Sequence, residues 1–75
     1  MKRYTVVLIP EPDEGGYSVS VPALPGLFTQ GDTKEEALDA VREAIGFHLE
    51  CLAEEGEPVP DGDGVLVEQV EVSAA

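Results

Sequence analysis

Positive charge is what this chain has least of: four Lys and Arg stand against sixteen Asp and Glu, a formal net charge of −12 at pH 7. Nucleic-acid binding draws its affinity from phosphates neutralised by Lys and Arg. With only Lys2, Arg3, Lys34 and Arg42 to offer, the chain is not expected to contact DNA or RNA directly. An acidic surface suits a basic partner instead, including a protein that itself binds RNA; its bland reading is solubility. Cysteine is nearly absent too. Cys51 alone excludes an intrachain disulfide and a multi-cysteine metal site. Tryptophan is missing, and two Tyr and two Phe are the only aromatics, so the core must be aliphatic. No run approaches the ~20 apolar residues of a membrane helix. Met1-Lys2-Arg3 leads into a short strand-like run that Pro10 ends, with no small-residue cleavage site. A cytoplasmic protein without a membrane partner is the expectation.

Seventy-five residues, 43% of them apolar, make one domain near the lower size limit for a single core. Domains this small often gain stability by burying a further surface, so a homodimer or higher homo-oligomer is expected. The apolar pattern divides the chain clearly. Residues 3–10 read as a strand with Tyr4, Val6 and Leu8 on one face and Thr5, Val7 and Ile9 on the other. Both faces are apolar over 6–9, as in a central strand, and Pro10 ends the pairing. Gly15-Gly16 supplies a hairpin reversal. Residues 17–21 alternate Tyr17, Val19 and Val21 against Ser18 and Ser20, a second strand with one wet face. Residues 27–30 form a third, short strand, completing an antiparallel meander. Leu38, Val41, Ile45, Leu49 and Leu52 then recur at helical spacing over 34–55, and Gly56 is the natural stop. After a Pro/Gly/Asp-rich connection, 65–72 read as a last strand. Reached through a helix, it should lie parallel to the first by a right-handed crossover. The fold class is α+β, order β-β-β-α-β, with the helix packed on one face. Residues 1–72 form the single domain, 73–75 a disordered tail, and no DNA-binding domain is expected.

Candidate chemistry is sparse. Two-metal phosphoryl transfer needs carboxylates converging from a central strand and helix, yet 6–9 hold none, and Glu11, Asp13 and Glu14 lie in a turn. Asp61-Gly62-Asp63-Gly64 has a calcium-loop look, but Val65 and Val72 stand where further ligands would be needed. His48 and Cys51 share a helical side among aliphatic neighbours, which favours packing over a metal or a thiolate. Catalytic, cofactor and metal residues are therefore expected to be none. What remains is a surface: Glu35, Glu36, Asp39 and Glu43 make a negative helix face. Such faces are usually only solvated, and the alternative is a partner-binding site.

The densest local code is Leu24 to Leu38, LPGLFTQGDTKEEAL. Pro25-Gly26 is a turn, Gly31-Asp32 breaks the strand, and Thr33 stands three residues before Glu36, the capping-box spacing. These residues, with Glu14-Gly15-Gly16-Tyr17, Pro22 and Glu55-Gly56-Glu57-Pro58-Val59-Pro60, resemble the HicB-like antitoxin family over roughly residues 4–60. Leu27 and Ala40 depart from it, standing where relatives commonly carry Cys and Asn. The resemblance implies a partial ribonuclease H-like domain. It also implies a non-enzymatic role, binding and occluding a small basic HicA-type toxin that cleaves mRNA. Two other roles compete: an orphan homo-oligomeric adaptor without a toxin, and a small metal-dependent nuclease or hydrolase, disfavoured by the missing carboxylate cluster.

Overall fold

The computed structural model describes residues 2–74. Three short strands, β1 (Val7–Pro10), β2 (Tyr17–Ser20) and β3 (Phe28–Gly31), precede one long helix, α1 (Lys34–Glu54). The sheet is an antiparallel meander in the order β1-β2-β3. Leu8 faces Val19 across the first ladder, and Val19 faces Thr29 across the second. Because side chains alternate along a strand, Leu8, Val19 and Thr29 form one row beneath the helix. Val7, Ser20 and Phe28 form a row on the opposite, open face.

Each connection follows from its residues. Between β1 and β2, the Gly15 N–H donates to the Glu11 carbonyl at 2.8 Å and the Glu11 N–H to the Gly16 carbonyl at 2.9 Å. Both glycines hold φ near +80°, at 78° and 80°, a region that costs other residues energy. Between β2 and β3, the Leu27 N–H donates to the Leu24 carbonyl at 3.1 Å, with Gly26 at φ 89°. This is the type II turn expected of Pro25-Gly26. It drives Leu24 inward, where only 1% of it remains exposed.

The core is small and aliphatic: Val19, Val21, Leu24, Ala37 and Val41, with Tyr4, Val6, Leu8, Tyr17, Leu27 and Ile45 packed around them. Helix and sheet approach closely at Gly31, where a Cβ would stand 2.4 Å from the Ala37 nitrogen. Gly31 therefore does more than end a strand: it lets the first turn of α1 sit on β3. The helix ends as Gly56 implies. With φ at 72°, Gly56 donates to the Ala53 carbonyl at 3.2 Å, and Glu57 donates to the Leu52 carbonyl at 2.9 Å. That pair of bonds is a Schellman closure.

One element differs from expectation. No strand forms over 65–72; instead Leu66, Val67, Val70 and Val72 are 71–83% exposed. The connection before it is well anchored. The Tyr4 hydroxyl donates to the Pro60 carbonyl at 2.6 Å, Gly62 is buried against Arg3 and Tyr4, and the Asp63 N–H donates to Asp61 Oδ1 at 2.9 Å. Beyond that point the chain leaves the body without meeting a ladder. β1 is consequently an edge strand rather than a central one, with Val7 and Ile9 37% and 52% exposed. The β-branched pattern of 65–72 sets no partner by itself, because strand preference depends on the neighbour it packs against. Ser73 and Ala74 are exposed; the expected tail's last residue, Ala75, lies outside the described residues.

Candidate functional site

The acids picked out on the helix all reach solvent. Glu35, Glu36, Asp39 and Glu43 are exposed along α1. Residues four apart lie above one another on a helix, so Glu35, Asp39 and Glu43 make a continuous line, while Glu36 sits to one side. Asp39 also accepts a hydrogen bond from Arg42 Nη1 at 3.1 Å, an ion pair whose side chains are 79% and 76% exposed. Such surface pairs are weak and exchange readily for another partner. Asp39 thus remains available.

Glu36 has a different duty. Its N–H donates to Thr33 Oγ1 at 3.1 Å, and its carboxylate accepts from the Asp32 N–H at 3.2 Å. Thr33 thus satisfies one orphan donor at the helix start, and the Glu36 carboxylate reaches back one residue past the cap, a variant of the capping box. Asp32, Thr33 and Glu36 are therefore structural, as the motif implied, and so are Pro25, Gly26 and Gly31. Glu36 nevertheless borders a shallow depression of about 360 Å³ with Glu11, Glu14, Tyr17, Gln30 and Asp32. Negative charge thereby continues from the helix start onto the β1–β2 turn.

Two neighbours escaped the sequence reading. Glu50 lies seven residues after Glu43 and extends the acidic line. Phe47 is 65% exposed within it, four residues after Glu43 and three before Glu50. At about 100° per residue, Phe47 falls roughly 120° around the helix from the buried Val41. That angle was the available signal. An exposed aromatic ringed by charge is the composition of an interface anchor.

His48 and Cys51 are both half-buried on the packed side of α1. Among the described residues, no group of three or more His, Cys, Asp or Glu is placed to hold a metal ion. Nor is any described helix long and apolar enough to cross a membrane. What the arrangement offers is recognition: an exposed negative helix face with one aromatic ring.

Comparison with known proteins adds a second line of observation. The family model described as HicB-like antitoxin of bacterial toxin-antitoxin system matches residues 4–73. A UPF0150 protein of Thermoplasma acidophilum is 50% identical over 58 residues, which are 77% of this chain and 83% of the relative. A UPF0150 protein of Synechocystis is 48% identical over 64 residues, 85% of this chain and 80% of that one. The protein named Antitoxin HicB in Escherichia coli K12 is 41% identical over 58 residues, 77% of this chain but only 41% of its own length. The chain thus covers most of the short relatives and under half of that antitoxin.

Proposed function

Because the chain belongs to the HicB-like antitoxin family, we propose that it is a non-enzymatic antitoxin that binds and occludes a small, basic, mRNA-cleaving toxin of the HicA type. The observation that carries this reading is the exposed line Glu35, Asp39 and Glu43, with Phe47 in it, on a chain of net charge −12. A toxin that holds RNA must present cations. The acidic helix would meet that same surface, speed encounter and exclude the phosphate backbone, while Phe47 would slow dissociation. The same resemblance supports reading the fold as a partial ribonuclease H-like domain, completed by a strand beside β1 and acting in the cytoplasm, where mRNA is.

A test is co-expression and co-purification with a HicA-type toxin, scored also by rescue of growth. Charge reversal at Glu35, Asp39 and Glu43 together should slow association by about ten-fold or more at low salt. Failure of the unaltered chain to bind or to rescue would overturn the reading. A toxin-free homo-oligomer is the second reading, favoured by the exposed apolar segment at 65–72. The nuclease reading has little support, since β1 reads Val-Leu-Ile-Pro and brings no carboxylate to the sheet.

A further inference from the structure

We propose that two copies of this chain exchange residues 65–72, each segment adding as a fourth strand to the free edge of β1 in the other copy. The segment is built to pair. It reads VLVEQVEV, free of Pro and Gly and rich in β-branched residues, the composition of a strand. Yet Leu66, Val67, Val70 and Val72 stand 71–83% exposed. An isolated apolar strand with unpaired N–H and C=O groups is an association site.

The receiving surface lies on the same molecule. Strand order leaves one side of β1 without a ladder partner. On the open face of that edge lie the exposed Val7 and Ile9. On the helix face lies a hollow of about 310 Å³, lined by Tyr4, Val6, Leu38, Val41 and Ile45, with Lys2 and Arg42 at its rim. The hollow exists because α1 packs mainly on β3 and β2, leaving β1 the least covered strand. An added strand alternates its side chains, so one row would fill the hollow and the other would lie beside Val7 and Ile9. Both exposed features would be buried by one event.

The second copy is the occupant that satisfies both the exposed segment and the free edge of β1. Each chain carries one donor segment and one acceptor edge, so a reciprocal exchange about a two-fold axis closes and leaves neither unpaired. The segment also departs from a fixed point. Gly62 is packed so closely that a Cβ there would stand 2.1 Å from the Arg3 carbonyl oxygen, and the Tyr4 hydroxyl holds Pro60. The strand therefore starts beside the first residues of its own chain, yet stays off its own β1. Two copies at −12 repel, so added salt should tighten this pair while weakening capture of a basic toxin.

Sedimentation of the full chain, with and without Leu66→Lys and Val70→Lys together, tests the exchange. The double variant adds positive charge and so lowers the net negative charge, and added repulsion between copies would not account for a loss of pairing. The chain should sediment as a dimer, with a dissociation constant that rises about ten-fold or more in the variant. Mixed populations labelled at Ser73→Cys or Glu11→Cys, each in a Cys51→Ser background, should show energy transfer between copies. A monomer at concentrations on the order of 100 μM would overturn the proposal. So would a dimer indifferent to the variant, which would locate the interface elsewhere. Transfer only within doubly labelled copies would show the segment folding onto its own β1. Ordering of the segment only by an added basic toxin would make the toxin its occupant. Either result also overturns the exchange.

Discussion

The helix α1 and the segment 65–72 are both acidic, apolar stretches, and they meet opposite fates. The helix buries Ala37 and Val41 against the sheet and leaves its acids in water. The segment keeps 71–83% of Leu66, Val67, Val70 and Val72 in solvent. A hydrophobic pattern states that one face of an element requires burial, but not which molecule supplies the cover. For α1 the cover lies adjacent in sequence, since β3 ends two residues before the Thr33 cap. For 65–72 the matching edge is β1, nearly the whole chain away.

That contrast can be tested with substitutions of graded effect. The largest should come from the packed body. Leu24→Ala removes a side chain that is 1% exposed, and chemical denaturation should show a loss of about 3 kcal/mol. Thr33→Ala removes the acceptor for the Glu36 N–H and should lower stability by about 1 kcal/mol in the same assay. Smallest is Leu66→Lys with Val70→Lys, measured at high dilution, where stability should change by no more than about 0.5 kcal/mol. If that double variant were as costly as Leu24→Ala, the segment would belong to the body of the monomer and the contrast would collapse.

The same division separates what could be read in advance from what could not. The Pro25-Gly26 turn, the Thr33–Glu36 cap, the Gly56 closure and α1 over Lys34–Glu54 all follow from instructions within a few residues of one another. Strand β1 was only partly legible: apolar residues run from Val6 to Ile9, but pairing begins at Val7, because its register depends on Ser20 and Tyr17 across the ladder. The fourth strand was not legible as a cis pairing, since its pattern fits any edge of suitable length. On the helix, charge and spacing single out Glu35, Asp39 and Glu43 as a candidate face, and all three are exposed. Phe47 lies outside the stripe of Leu38, Val41, Ile45, Leu49 and Leu52, about 120° from Val41, so the inward periodicity alone does not reveal it. Glu36 was assigned both to the cap and to the negative face. Its carboxylate is held by the Asp32 N–H, which turns one of the expected contact residues toward a structural duty.

The bond from the Tyr4 hydroxyl to the Pro60 carbonyl has an optical consequence. With no tryptophan in the chain, ultraviolet emission is dominated by Tyr4 and Tyr17. Tyr17 is fixed in β2, whereas Tyr4 holds the point from which the apolar segment departs. The phenol of Tyr4 is thus a built-in chromophore for that junction, and an event that breaks its bond to Pro60 should change the light it absorbs and emits.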